Sequence, residues 1–274
     1  MITYMQTDKR WKDYSYSVPG EKTTIGRAGC GLACAAMVVS NLAHKTVTPV
    51  TACNYSLANG YKQKGGGTYA NFFPKFFEKY GIKSNIVWVA SANTAKTIEA
   101  ALKADEWVIA CMKKGNWTSG TGHYVLAYKL HDGIVYIADP ASTKASRTRA
   151  SIKQFVGEAK YYIVVHNPDA YIYQKFVREM QRICKVEQTG KADNDLLKKT
   201  VTLGRNQNPT HAMVKPIQTL LSDLGIYKNK CHGVFDSPTE EAVKAYQLEQ
   251  VGLNKPDGII TAGKGTWKKM LNLE

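Results

Sequence analysis

Residues 25–42 read IGRAGCGLACAAMVVSNL, and Cys30 stands where glycine-flanked, loop-like sequence gives way to an apolar helical pattern. A thiol at the start of a helix can act as a nucleophile. The helix dipole and the free backbone N–H groups favour the thiolate and lower its pKa. Those N–H groups can also stabilise an oxyanion. Gly29 and Gly31 on either side let a substrate approach closely. Position alone leaves two readings of Cys30 open, a nucleophile and a buried small apolar residue. Cys34, Cys53, Cys111, Cys184 and Cys231 read as the latter. With six cysteines and no C-x-x-C pair in 274 residues, the chain carries free thiols of a reducing compartment rather than a disulfide framework.

A thiol nucleophile needs a base, and the base needs an acceptor that orients it. The stretch GTGHYVLAYKLHDGIVYIADPAS (120–142) offers both. His123 opens a predicted strand, HDG at 131–133 signals a hairpin turn, and Asp139 closes the next strand. An antiparallel hairpin sets the start of one strand beside the end of the next, which puts His123 and Asp139 within hydrogen-bonding range. Taken singly, His123 is an ordinary strand-end histidine and Asp139 a turn-former before Pro140. Joined to Cys30 on the preceding helix, they make a Cys–His–Asp set for acyl transfer. The remaining histidines, His44, His131, His166, His211 and His232, lack this context and read as structural or solvated. No H-E-x-x-H, Cys/His ligand spacing or EF-hand loop occurs, so neither metal nor cofactor is expected.

The surrounding pattern supplies the scaffold. TYANFFPKFFEKYG reads as a helix stopping at Gly81, with Pro74 in its first turn or at a kink. TAKTIEAALKAD reads as an amphipathic helix capped by Thr94 or Thr97. Between 106 and 166, EWVIACM, GHYVLAYKL, GIVYIADP and KYYIVVH are short, β-branched and aromatic, as in an antiparallel sheet. Helices followed by strands are an α+β order. Asn167-Pro168-Asp169 marks a linker, dividing the chain into 1–167 and 168–274. The second part is helical and echoes itself: KFVREMQRICKV and AMVKPIQTLLSDLG both set a Gln within apolar 3–4 spacing. A glycine turn and a second helix follow each. A third glycine turn, PDGII, leads to TWKKML. Ser237 with Glu240 forms a capping-box pattern, with Pro238 at the first helical position.

Thirty-seven basic and 22 acidic residues give a net charge of +15. Residues 1–167 hold 21 basic and 10 acidic side chains (+11), and residues 168–274 hold 16 and 12 (+4). Such a charge favours anionic partners, among them nucleic acid, phospholipid and bacterial wall polymers. The basic residues are scattered, the densest spots being Lys62/Lys64 and Arg147/Arg149, and no DNA-binding helix or zinc finger is evident, which argues against nucleic acid. No run of 18 apolar residues occurs, so membrane insertion is not expected. The first residues lack the basic and apolar regions of a secretory signal.

The motifs MQTDKRWKDYSYS, IGRAGCGLACAAMVVSNL, GTGHYVLAYKL and GIVYIADP, in that order, resemble the papain-like cysteine peptidases of the bacteriocin-processing (double-glycine) superfamily, in particular its soluble, wall-associated branch. The resemblance implies a papain-like domain of helices packed on an antiparallel sheet. It implies Cys30 as nucleophile, His123 as base, Asp139 as orienting residue, and Gln6 as a side-chain donor to the oxyanion. Leu32-Ala33 depart from the Pro-Thr or Pro-Ser usual after GCG. VKPIQTLL, GVFDSPTEEAVKAYQ and PDGIITAGKGTW resemble the three-helix peptidoglycan-binding module, with HGVF where Asp-Gly is usual. Together they imply a peptidoglycan hydrolase of the phage endolysin kind, stored in the host bacterial cytoplasm until a holin releases it to the wall. Its expected action is that of an endopeptidase on the stem peptide or cross-link. The alternatives are an N-acetylmuramoyl-L-alanine amidase with the same triad and a non-catalytic wall-binding protein. Peptidoglycan, and with it the anionic polymers of the wall, is the expected partner.

Overall fold

The computed structural model describes every residue except His44, Ala90–Ala92, Thr121 and Glu274. The expectation made for His44 therefore lies outside the described residues. Two compact units divide the chain, Met1–Pro168 and Asp169–Glu274.

The first unit opens with a looped segment and four helices: α1 (Ile25–Ala28), α2 (Cys30–Leu42), α3 (Pro49–Ala58) and α4 (Phe72–Glu78). Strand β1 (Ser84–Trp88) and helix α5 (Asn93–Lys103) follow, then β2 (Trp107–Met112), β3 (His123–His131) and β4 (Ile134–Ala138). The unit closes with α6 (Ala145–Thr148), β5 (Arg149–Ser151), α7 (Ile152–Gly157) and β6 (Ala159–Val165). All strand pairs are antiparallel, in the order β1-β6-β2-β3-β4-β5. Side chains alternate across a strand. Ile109, Cys111, Leu126, Ile163 and Val165 pack on α2, α3 and α4. Val108, Ala110, Val125, Val135 and Val164 pack on Ile98 and Leu102 of α5 and Phe155 of α7. With both faces covered, β2 is buried along its whole length and reads as a continuous apolar run rather than an alternating one.

Helix α2 is the centre of the first core. From Gly31 to Ser40 every residue is buried, which suits a stretch of small and apolar side chains with no charge. Phe72, Phe73, Phe76 and Phe77 of α4 are fully enclosed. Each such ring stabilises the fold by roughly 2–3 kcal/mol. Pro74 falls in the first turn of α4, where its missing N–H costs nothing. Two short strands, β1 and β5, extend the sheet beyond the four read from sequence, and α5 begins at Asn93, ahead of both threonines expected to cap it.

The second unit contains α8 (Pro168–Ile183), α9 (Asn194–Lys198), α10 (Val214–Asp223) and α11 (Ser237–Tyr246), a π-turn at Gln247–Val251 and α12 (Gly265–Met270). Its own core gathers Phe176, Met180, Leu196, Ile217, Leu221, Val243, Tyr246 and Trp267. The echo seen in sequence is one hydrogen-bonding device used three times. Gln181 Oε1 accepts from Gly190 N (2.9 Å), Gln218 Oε1 from Gly233 N (2.8 Å) and Gln247 Oε1 from Gly258 N (2.9 Å). Each amide Nε2 then donates to the backbone just beyond that glycine: to Lys191 O, Val234 O and Ile259 O, each at 2.9 Å. All three glycines have positive φ, 74°, 84° and 72°, a conformation that side chains resist. A buried glutamine thus locks the turn that follows its helix. Asp236, not Ser237, caps α11: its carboxylate accepts from Thr239 N (3.0 Å) and Thr239 Oγ1 (2.6 Å). Ser237 is already inside the helix, and Glu240 pairs with Lys244 (2.8 Å) instead of reaching back.

Candidate active site

Cys30 is the first residue of α2, so its N–H belongs to the opening turn that has no intrahelical acceptor. The glycines around it are closely confined. A Cβ on Gly29 would collide with the Ile25 carbonyl oxygen, and one on Gly31 would press on Thr68 and Tyr124 at 3.1 Å. The helix is thereby drawn tight against β3, which carries His123 at its first position. Asp139 follows the last residue of β4 directly, and the β3–β4 hairpin turns through Asp132 and Gly133, both with positive φ.

His123 Nε2 lies 2.7 Å from Asp139 Oδ1. This leaves Nδ1 for Cys30, whose thiol and the imidazole act on one another electrostatically. Burial opposes charge on both partners, yet their interaction prevails. Enclosure pushes the Cys30 thiol up, while His123, with the N–H groups of Tyr124 and Gly31, brings it below the ordinary thiol range. Burial likewise pulls His123 down, and Asp139 and Cys30 together raise it to about 9. The direction in each case favours a thiolate–imidazolium pair. Cys34, one turn on, is pushed well up by burial and reads as core.

Asp139 is fully enclosed and held on three sides. Besides His123, its Oδ1 accepts from Ala141 N (2.8 Å), and its Oδ2 lies 2.6 Å from Arg147 Nε. That last contact lies off the ideal hydrogen-bond direction, so the two atoms meet as an ion pair rather than as a well-aligned hydrogen bond. Arg147 is in turn tied to Trp117: its Nη2 donates to Trp117 O (2.6 Å), and Trp117 Nε1 donates to Arg147 O (2.9 Å). A buried carboxylate without a counter-charge is strongly unfavourable, so Arg147 belongs to the site. In the sequence it registered only as part of a short basic cluster.

Gln6 is buried near the same cleft. Its backbone N–H donates to Pro140 O (2.8 Å), beside Asp139, and its Nε2 donates to Gly26 O (2.8 Å). One amide hydrogen of Nε2 remains for another acceptor. Gln6 Oε1 is buried and has no hydrogen-bond partner among the described residues.

Cys30, His123, Gln6 and Arg147 line one cleft of about 590 Å³ with Arg27, Gly65–Gly67 and Trp117–Ser119. The glycine rim is fixed from below. Lys62, which with Lys64 forms one of the densest basic spots of the sequence, is buried, with its Nζ bonded to both oxygens of Glu21 (3.0 and 2.8 Å) and to Gln63 O and Gly66 O (2.7 and 2.9 Å). Glu21 also accepts from Gly65 N (3.0 Å). Among the described residues His123 is the only histidine that lines this cleft; His166 pairs with Glu106 at 2.9 Å.

Residues 25–170 match the peptidase C39 family. The chain belongs to this family. Residues 210–270 match a peptidoglycan binding domain, so a C39 cysteine peptidase unit is followed on the same chain by a helical peptidoglycan-binding unit. Among solved structures, the C39 unit is similar to the peptidase domain of Streptococcus ComA, a bifunctional ABC transporter of a quorum-sensing pathway. The identity is 17% and the TM-score 0.38, covering 51% of this chain and 91% of that one. A C39-like peptidase from Bacillus anthracis is similar at 16% identity and a TM-score of 0.36, covering 50% and 88%. No curated protein matches. Among the described residues no helix is long and apolar enough to cross a membrane.

Proposed function

We propose that this C39 peptidase is a peptidoglycan hydrolase that cleaves an amide of the stem peptide or cross-link, acting as an endopeptidase. The observation that carries this reading is the joining of a cleft lined by Cys30 and an Asp139-bonded His123 to a peptidoglycan-binding unit on one chain. A module held on an insoluble polymer raises the local concentration of bonds for the enzyme beside it. In the reaction the Cys30 thiolate attacks the amide carbonyl, and the oxyanion is met by the Cys30 N–H and the spare Gln6 amide hydrogen. His123 gives its proton to the leaving amine, then takes one from the water that hydrolyses the thioester. Asp139 keeps the imidazole oriented and its charge favourable, with Arg147 behind it.

The cleft also suits an anionic peptide. Glu21 is taken by Lys62, and Arg147 by Asp139. Arg27 lines the same cleft, is exposed, and has no partner among the described residues. It stands ready for a substrate carboxylate.

Mass spectrometry of fragments released from purified peptidoglycan tests the reading. A new glycine or alanine amino terminus is expected. Free lactyl groups would instead identify an amidase. New reducing sugar ends, or no release at all, would overturn hydrolysis of an amide. The endolysin reading adds storage in the cytoplasm until a holin opens the membrane. Lysis of expressing cells should then require a co-expressed holin.

A further inference from the structure

The threefold device of the second unit allows its repeats to be compared position by position. Three residues before each turn-locking glutamine stands a cation: Arg178 before Gln181, Lys215 before Gln218, and Lys244 before Gln247. Each lies near the glycine of its own turn; a Cβ added to Gly190, Gly233 or Gly258 would meet Arg178, Lys215 or Lys244 at 2.9, 3.5 and 3.1 Å. The third repeat neutralises its cation, since Lys244 bonds Glu240 at 2.8 Å and Glu241 at 3.1 Å. The first two do not. Arg178 reaches only the carbonyl oxygen of Gln188 (2.8 Å), and Lys215 has no partner among the described residues.

Those two cations line one cleft of about 650 Å³ between α8 and α10. Its carboxylates are already used, Glu179 by Arg182 (2.6 Å) and Asp223 by Lys175 (2.9 Å), which leaves Arg178 and Lys215 as a surplus of two positive charges. Tyr171 also lines the cleft and is 73% exposed, the most exposed large apolar side chain among the described residues. An aromatic ring left in water beside unpaired cations suits a ligand with an apolar face and a carboxylate. The peptidoglycan-binding match contains α10 but not α8, so the cleft reaches beyond the matched part of the unit.

We propose that the α8–α10 cleft binds the glycopeptide of the wall, with Tyr171 against a sugar ring and Arg178 and Lys215 on stem-peptide carboxylates. This rests on the wall-binding reading of the second unit. A phosphodiester-rich wall polymer is the competing occupant, and it is distinguished by stripping.

The test is co-sedimentation of full-length Cys30→Ala protein with purified walls, before and after acid removal of the anionic polymers. Cys30→Ala protein should sediment with both preparations. Adding Arg178→Ala and Lys215→Ala should weaken retention on stripped walls by about tenfold, and Tyr171→Ala by a few-fold further. A charge-matched pair away from the cleft, Lys228→Ala with Lys255→Ala, should retain binding. Failure of the Cys30→Ala protein itself to sediment would end the wall-binding reading. Sedimentation with equal losses in both pairs would leave that reading standing and overturn the cleft assignment, as would retention that vanishes on stripping. Should the substituted chains unfold, NMR titration of the Cys30→Ala protein with a soluble muropeptide decides: shifts centred on α8 and α10 support the cleft, and shifts elsewhere refute it.

Discussion

Four glutamines are buried in this chain, and they divide by unit. In the second unit Gln181, Gln218 and Gln247 use both ends of the amide, oxygen to a glycine N–H and nitrogen to backbone carbonyls. In the C39 unit Gln6 uses its nitrogen once, and its buried oxygen has no partner among the described residues. Full satisfaction rigidifies a fold, while a group left part-satisfied is usually kept for another purpose. The buried charged pairs divide in the same way. The second unit repeats one neutral device, whereas the first gathers unique charged contacts around one cleft, Asp139 with Arg147 and Lys62 with Glu21. Repetition marks scaffold here, and the singular charged pairs gather at the cleft proposed for the chemistry.

The sharpest break of this comparison is at Cys30, the proposed nucleophile. Cys30→Ala and His123→Ala should each lower release of soluble fragments from walls by about 10⁴-fold or more, with thermal unfolding little changed. Cys34→Ala should stay active, because that thiol only fills core. If Cys34→Ala were dead and Cys30→Ala active, the assignment within CGLAC would be reversed.

The glutamines test the contrast directly. Gln6→Ala should reduce kcat by roughly 10- to 1000-fold, the effect of losing one oxyanion donor, and leave stability nearly intact. Gln218→Ala should destabilise the second unit by about 3 kcal/mol, since it strands Gly233 N–H and takes one donor from Val234 O, and should leave kcat on a soluble peptide unchanged. Calorimetry and peptide kinetics on the same two proteins would erase the distinction if the effects were swapped.

Arg147→Gln strands a buried carboxylate and should cost about 3 kcal/mol. It should also change the pH profile, which a purely structural residue would not do. Asp139→Asn keeps the shape and most of the hydrogen bonding and should lose only part of the activity, less than His123→Ala. Full activity in both Asp139→Asn and Asp139→Ala would mean that another group orients the imidazole.

The smallest effect is in pH. The proposed mechanism requires a thiolate and an imidazolium together. Activity should rise with pH as Cys30 ionises, below the ordinary thiol range, and fall as His123 loses its proton near 9. A profile of kcat/KM that keeps climbing beyond that point would contradict the ion pair.

The legible part of the molecule was the part written in local pattern. The glycine-to-helix junction at Cys30, the strands around His123 and Asp139 and the Gln-containing echo all rest on spacing within one or two elements. The four principal strands and the α+β order follow from the same signals. Arg147 lies in a polar stretch, STKASRT, with no periodicity, and its meaning exists only once that stretch folds over Trp117 and Asp139. The burial of Lys62 is equally illegible locally: its neighbours Gln63, Lys64 and Gly65 are polar or small, and its partner Glu21 is 41 residues away. Strand β1 was missed because SNIVW is short and carries polar residues at one end. At α11 two adjacent residues were each good caps, and Asp236 took the role because its carboxylate serves both the Thr239 amide and hydroxyl.

The Lys62–Glu21 pair has a consequence for ionic strength. Its lysine side chain is wholly shielded and its glutamate nearly so, whereas the pairs on the protein's exterior, such as Lys75–Glu78, stand in solvent. Mobile ions weaken exterior pairs within a Debye length of about 8 Å at physiological salt and reach enclosed pairs far less. The glycine rim beside Cys30 is therefore fastened by a contact that brine cannot readily loosen. Surface pairing should fade in concentrated electrolyte while the mouth of the cleft keeps its shape.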